Sequence, residues 1–229
     1  MQKRLATTLL LLVAAALCLG GQQARRGLAS PLAGLAAEWA PDEAVLLLVN
    51  GTLARFHLKT EAEELLATDV AAFALSADGT RLALARGGRL EFSSYPELRT
   101  LGTVQPPARA DGKGVALRSV AWSPDGQTLA AGTDDGRVLL WELASGELWG
   151  EIGVEEPRAV TQVSFSADGA RLFSLFADGR GILWTLAERD VLSRFPPPEA
   201  GDGEDAPAPP PAGLAEVRLS PAGEHLLVT

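Results

Sequence analysis

One turn pattern recurs along this chain and limits its fold more than any other feature. Ser76-Ala77-Asp78-Gly79, Ser123-Pro124-Asp125-Gly126 and Ser166-Ala167-Asp168-Gly169 each close one short apolar run and open another. Proline presets φ where it is present, aspartate hydrogen-bonds the turn backbone, and glycine permits φ > 0, so each tetrapeptide predicts a hairpin. Pro41-Asp42-Glu43 holds the same place early in the chain and Ser220-Pro221-Ala222-Gly223 holds it late. Asp42, Asp78, Asp125 and Asp168 stand 36, 47 and 43 residues apart. A repeat of roughly 40–45 residues is the length of one four-stranded propeller blade.

The clearest copy spans residues 119–152. Residues 119–123 form a first strand, 128–133 a second and 138–143 a third, with Asp134-Asp135-Gly136 as the second turn. A fourth strand over 147–152 follows Ala144-Ser145-Gly146. Trp122-Ser123-Pro124-Asp125-Gly126, Gly132-Thr133-Asp134-Asp135-Gly136 and Leu140-Trp141-Glu142-Leu143 together resemble a bacterial WD-repeat. That family ends its third strand in Trp-Asp, and here Glu142 takes the acidic place. The family also carries a Gly-His pair before the first strand, whose histidine joins a buried network of Asp, Ser or Thr, and Trp. No copy in this chain has such a pair.

The other copies follow the same plan. Residues 45–49, Asn50-Gly51 and 53–58 continue the first, with Asn50-Gly51 a type I′ hairpin signal. Asn50-Gly51-Thr52 also satisfies the glycosylation sequon, but the turn alone accounts for it. The second copy runs 70–75, 81–85, Gly87-Gly88 and 89–92, with an outer strand over 98–104. It lacks the tryptophan, so Tyr95 or Phe92 has to fill that volume. Residues 160–165, 171–176, 181–186 with Trp184, and 191–195 make the fourth, and 215–219 and 225–229 begin a fifth. The expected fold is therefore all-β: a propeller of four-stranded antiparallel blades, about four of them, plus the first two strands of another. An unpaired edge and an open ring predict that the pattern continues past Thr229 to a propeller of about six to eight blades.

Three segments fall outside the repeats. Residues 1–21 have the layout of a secretory signal peptide: Lys3 and Arg4, an apolar stretch over 5–19, then Gly20 and Gly21. The stretch is shorter than the roughly 18 apolar residues a spanning helix wants, so the expectation is cleavage and a secreted or periplasmic address. The alternatives are a membrane anchor facing outside the cytoplasm, or acylation at Cys18, which Leu17 disfavours. Cys18 is the sole cysteine, so no disulfide is expected within the chain. Residues 22–34 read as a spacer, 35–229 as the propeller, and 196–213 within it as an acidic, proline-rich loop.

Composition narrows the function classes. The 229 residues carry a net charge of −9, and no concentrated basic face is present to neutralise phosphates, so no nucleic-acid partner is expected. His57 and His225 are the only histidines and fall in different copies; neither has the spacing of a triad or a zinc site. The turn aspartates Asp78, Asp125 and Asp168 are explained by their hairpins. Asp202, Glu204 and Asp205 match no calcium loop. No catalytic residue, cofactor or metal site is assigned. Trp39, Trp122, Trp141, Trp149 and Trp184 could present an aromatic surface, although Trp141 and Trp184 suit packing between blades better. Resemblance to the WD-repeat family implies a non-catalytic scaffold that holds other proteins or peptides through its faces and loops. The alternative is the propeller domain of a hydrolase or peptidase whose catalytic part lies beyond residue 229.

Overall fold

The computed structural model describes residues 28–29, 35–109, 111–153, 158–195, 217–219 and 226–228. Strands β1 (Leu28–Ala29), β2 (Leu35–Ala40), β3 (Ala44–Val49), β4 (Thr52–His57) and β5 (Ala62–Ala67) form one antiparallel sheet in chain order. Strands β6 (Val70–Leu75), β7 (Arg81–Arg86), β8 (Arg89–Ser94) and β9 (Thr100–Val104) form the second. The third has β10 (Leu117–Trp122), β11 (Thr128–Thr133), β12 (Arg137–Glu142) and β13 (Leu148–Gly153). The fourth has β14 (Val160–Phe165), β15 (Arg171–Phe176), β16 (Gly181–Thr185) and β17 (Asp190–Phe195). Strands β18 (Val217–Leu219) and β19 (Leu226–Val228) pair as the start of a fifth. No helix occurs among the described residues. This is the expected all-β architecture, four propeller blades and two strands of another.

The hairpins close where the turn chemistry predicts. Gly79, Gly126 and Gly169 adopt φ of 70°, 66° and 71°, a region that costs other residues about 1–2 kcal/mol. Ser76, Ser123 and Ser166 each donate Oγ–H to the aspartate two residues on at 2.5 Å. The same aspartate oxygen accepts the backbone N–H of Thr80, Gln127 or Ala170 at 2.9–3.0 Å. The serine hydroxyl and one carboxylate oxygen of each turn are thereby paired inside the turn. In the first sheet Glu43 stands where the others have glycine, at φ 57°, and Asp42 accepts from Tyr95 and Arg55 instead of a serine.

Second strands β7 and β11 are apolar on both faces, because each lies between two neighbouring sheets. Strand β3, AVLLLV, buries Ala44, Leu46 and Leu48 toward the second sheet and turns Val45 and Leu47 to the other side. Three cores result. Leu46, Leu48 and Leu53 meet Leu75, Leu82 and Leu84 between the first two sheets. Ala83, Leu90 and Phe92 meet Val120, Trp122 and Leu129 between the second and third. Ala130, Val138 and Leu140 meet Val163, Leu172 and Ile182 between the third and fourth. A buried Leu or Phe contributes about 1.5–3 kcal/mol, whereas a hydrogen bond nets about 0.5–1.5 kcal/mol. The blades are thus held to one another chiefly by these apolar layers. The first strands adjoin along the inside of the array, β6 on β10, β10 on β14 and β14 on β18.

Two details were open or unforeseen in the sequence. Register pairs Leu129 with Trp141 in the third sheet and Leu82 with Ser93 in the second, so Ser93 occupies the tryptophan place. Tyr95 fills the volume, 4% exposed in the core against the first sheet, while Phe92 faces the third. Within the segment read as a spacer, β1 adds to the free edge of β2. The proposed signal, Cys18, His225 and the acidic proline-rich loop lie outside the described residues.

Candidate functional site

The four sheets present two rims. One carries the Ser-x-Asp-Gly turns. There each turn also touches the next sheet's turn: Gly79 lies against Pro41, Gly169 against Pro124, and Arg81 donates to the Gly126 carbonyl at 2.9 Å. Hydrogen bonds from the serine hydroxyl and the following backbone N–H hold the Asp78 carboxyl down to about 2. The same two bonds hold Asp125 and Asp168 below the ordinary carboxylate value. These carboxylates are structural anions, each with its Oδ1 engaged twice by its own turn.

The opposite rim carries the turns between second and third strands and the connections from one sheet to the next. Asn50 and Gly51 have φ of 49° and 79°, and Gly87 and Gly88 have 55° and 73°, as the type I′ signals require. In the third sheet Asp135 accepts from Thr133 Oγ1 at 2.5 Å and from Arg137 Nε at 3.0 Å. Burial works against ionisation of Asp135, but the bonds from Arg137 and Thr133 outweigh it and lower its pKa. Arg109, from the preceding connection, reaches Asp134 at 2.5 Å and Asp135 at 3.6 Å. The fourth sheet repeats the device: Arg158 from the connection and Arg180 from the strand start lie 2.9 Å and 2.7 Å from Asp178. Burial again opposes the charge on Asp178, and the two arginines prevail.

This pairing answers the missing histidine. The resemblance calls for a histidine before the first strand that meets a buried aspartate network, and none was found. Arginine makes the corresponding reach from connection to turn in both the third and fourth sheets. Part of the network also survives deeper in the fourth, where Trp184 Nε1 donates to buried Ser174 Oγ at 2.9 Å. The arginines were legible as residues but not as partners, since Arg109 and Arg158 precede their strands by different lengths of chain.

The tryptophans divide by environment. Trp141 is 1% exposed between the second and third sheets, and Trp184 packs between the third and fourth. Trp122 is also core; its Nε1 donates to the Ala74 carbonyl at 3.0 Å and Arg81 stacks 5.3 Å from its ring centre. Trp149 is half-buried, and Arg189 covers it, 5.2 Å from the ring centre while donating to its carbonyl at 2.8 Å. Trp39 lies with Val45, Leu47 and Phe56 on the first sheet's face away from the second. The structure brings no three of them together as an open aromatic surface. His57 ends β4 opposite Ala44 and Ala62. Among the described residues no group of three or more His, Cys, Asp or Glu side chains is placed to hold a metal ion.

A cavity of about 370 Å³ opens on the second rim, among the first three sheets. Residues 69–71, 85–88 and 114–118 wall it, with Gly51 and Asp134 completing the lining. The family model described as WD domain, G-beta repeat matches residues 108–142, from the connection that holds Arg109 to the end of β12. The match and the blades together support a WD-repeat protein. No curated protein matches the chain. WD-repeat propellers are generally interaction scaffolds, and the matched repeat contributes both Asp134 and residues 114–118 to the cavity wall.

Proposed function

We propose that this chain is a non-catalytic scaffold working outside the cytoplasm, holding another protein or a peptide against the rim that carries the connections between sheets. One observation carries the reading: the serine hydroxyls of the Ser-x-Asp-Gly rim and the aspartate oxygens they meet are engaged by their own turns, while the opposite rim holds a cavity. The three apolar cores below supply the rigidity that a binding platform needs, because ordering costs are met in folding rather than on binding.

Two experiments test the reading separately. A photo-crosslinking residue placed at Gly87, on the cavity rim, should give a discrete adduct with another protein in the source cells, whereas one at Gly146, on the other rim, should not. Adducts at neither position would overturn the scaffold. Residues 1–34 fused to alkaline phosphatase, which is active only after export, should give an active reporter in a bacterial host. An inactive fusion would remove the extracytoplasmic address.

A further inference from the structure

The cavity on the connection rim has charged side chains on its wall, and they differ in how they are satisfied. Arg86 lies 3.5 Å from Glu91, and Asp134 binds Arg109 and the backbone N–H of Ala116. Arg118 is exposed and makes no hydrogen bond or ion pair among the described residues, and the same holds for the Asp69 carboxylate. The position of Arg118 is built by the fold. A register shift interrupts the pairing of the first strand with the second between Val70 and Ala72, between Leu117 and Ser119, and between Val160 and Gln162. A bulge of this kind re-aims the side chain of its extra residue. Ala71, Arg118 and Thr161 are therefore equivalent and all are exposed, and only the third sheet places a charge there.

We infer that this cavity binds an acidic side chain of an extended peptide segment, with Arg118 clamping the carboxylate. The inference rests on the scaffold reading and names the chemistry of its partner. A guanidinium offers a planar fork that matches a carboxylate with two parallel hydrogen bonds. A volume of about 370 Å³ lies at the small end of ligand cavities and suits one or two side chains rather than a folded domain. A Cβ at Gly87 or Gly114 would meet nothing within 4 Å, so the wall is open to the close approach of a second backbone. Asp69 and Asp134 on the same wall favour a monoanion over a phosphate dianion and leave Asp69 to accept a peptide N–H.

The test is selection of a phage-displayed random dodecapeptide library on the full chain. Because the displayed peptides are fused through their C-termini, only side-chain carboxylates are offered. The wild-type protein should enrich Asp and Glu at one position over the input library. Arg118→Ala should weaken a selected synthetic peptide at least tenfold by fluorescence polarisation, as should changing the peptide's acid to its amide. Ala71→Arg, which repeats the guanidinium at the equivalent bulge, should strengthen the acidic preference. Arg118→Ala is exposed, so its melting curve should overlay that of the wild type. Peptides without acidic enrichment, equal affinity for Arg118→Ala, or an empty selection would each overturn the inference. Peptides that bind independently of Arg118 would do so while leaving the scaffold reading in place, which the crosslinking experiment judges on its own.

Discussion

The two rims use the same left-handed glycine turns for opposite ends. On the Ser-x-Asp-Gly rim the turns press on one another, so that Gly79 packs on Pro41 and Gly169 on Pro124. On the connection rim Gly87 has φ of 55° and open space around it. On one rim the Ser-x-Asp-Gly turns pack on their neighbours, and on the other arginines brace the second turns of the third and fourth sheets from the side. Conformational demand is equal at Gly79 and Gly87, but packing demand is not.

Glycine substitutions test this most sharply. At Gly79 a Cβ would lie 2.7 Å from Pro41 Cγ, and proline has little freedom to withdraw. Adding that clash to the cost of about 1–2 kcal/mol for a left-handed alanine, Gly79→Ala should lose about 2–4 kcal/mol in urea unfolding. Gly87→Ala should lose only the conformational part, about 1–2 kcal/mol. Equal losses would erase the distinction between the rims.

The next effect separates the two rims by acid. Asp78 is held down to about 2, first by the Ser76 hydroxyl and then by the Thr80 N–H. A depressed folded pKa means that stabilisation is complete above the unfolded carboxylate value, near 3.8, and is lost as pH falls toward about 2. Ser76→Ala should therefore raise the Asp78 pKa toward its ordinary value, flatten the acid limb of stability, and cost about 1–2 kcal/mol at neutral pH. Melting curves taken between pH 2 and pH 7 read both. An acid limb unchanged in the variant would mean that the turn carboxylates do not carry it.

Arg109 gives a smaller and oppositely signed effect on the other rim. Arg109 stays cationic through neutrality, whereas a histidine there would titrate. Arg109→His should pair as the cation, with its folded pKa raised above the unfolded value of about 6.5. Its stabilisation is then present at low pH and lost as pH rises through the raised pKa, so the variant should melt lower at pH 8 than at pH 5.5. The difference should be small, since water screens the pairing at this position. A variant with no such slope would show that the connection does not rely on this contact.

Much of this comparison was visible in the residues themselves. The Ser-x-Asp-Gly repeats, Asn50-Gly51 and Gly87-Gly88 located the hairpins because turn chemistry is local. The replacement of tryptophan by Tyr95 was not decidable from spacing, since it depends on Ser93 and Trp141 sharing a register position. Arg109 and Arg158 were not legible as partners, because the WD-repeat pattern puts a histidine in that role and because their connections differ in length. An arginine before the first strand followed by an aspartate in the second turn was the available signal. The cavity left almost no trace in sequence. Three chain segments far apart form its walls, glycines make much of its surface, and Arg118 reaches its position through a bulge that no residue pattern marks.

The smallest effect belongs to an ion pair that lies on the Ser-x-Asp-Gly rim without being part of its turn packing. Lys59 Nζ is 2.5 Å from Glu43, but their side chains are 78% and 59% exposed. Water screens such a pair, and holding a lysine in one geometry costs side-chain entropy, so Lys59→Ala should change stability by no more than about 0.5 kcal/mol. Glu43→Gly tests the other half of the same site. Glu43 sits at φ 57° where the other turns have glycine, so relief of its backbone should stabilise the protein by about 0.5–1 kcal/mol despite the lost pair. A gain in Glu43→Gly with no loss in Lys59→Ala would place the stability of this rim in turn conformation and packing. A substantial loss in both would place it in surface charge, and the contrast between the rims would then need a different physical basis.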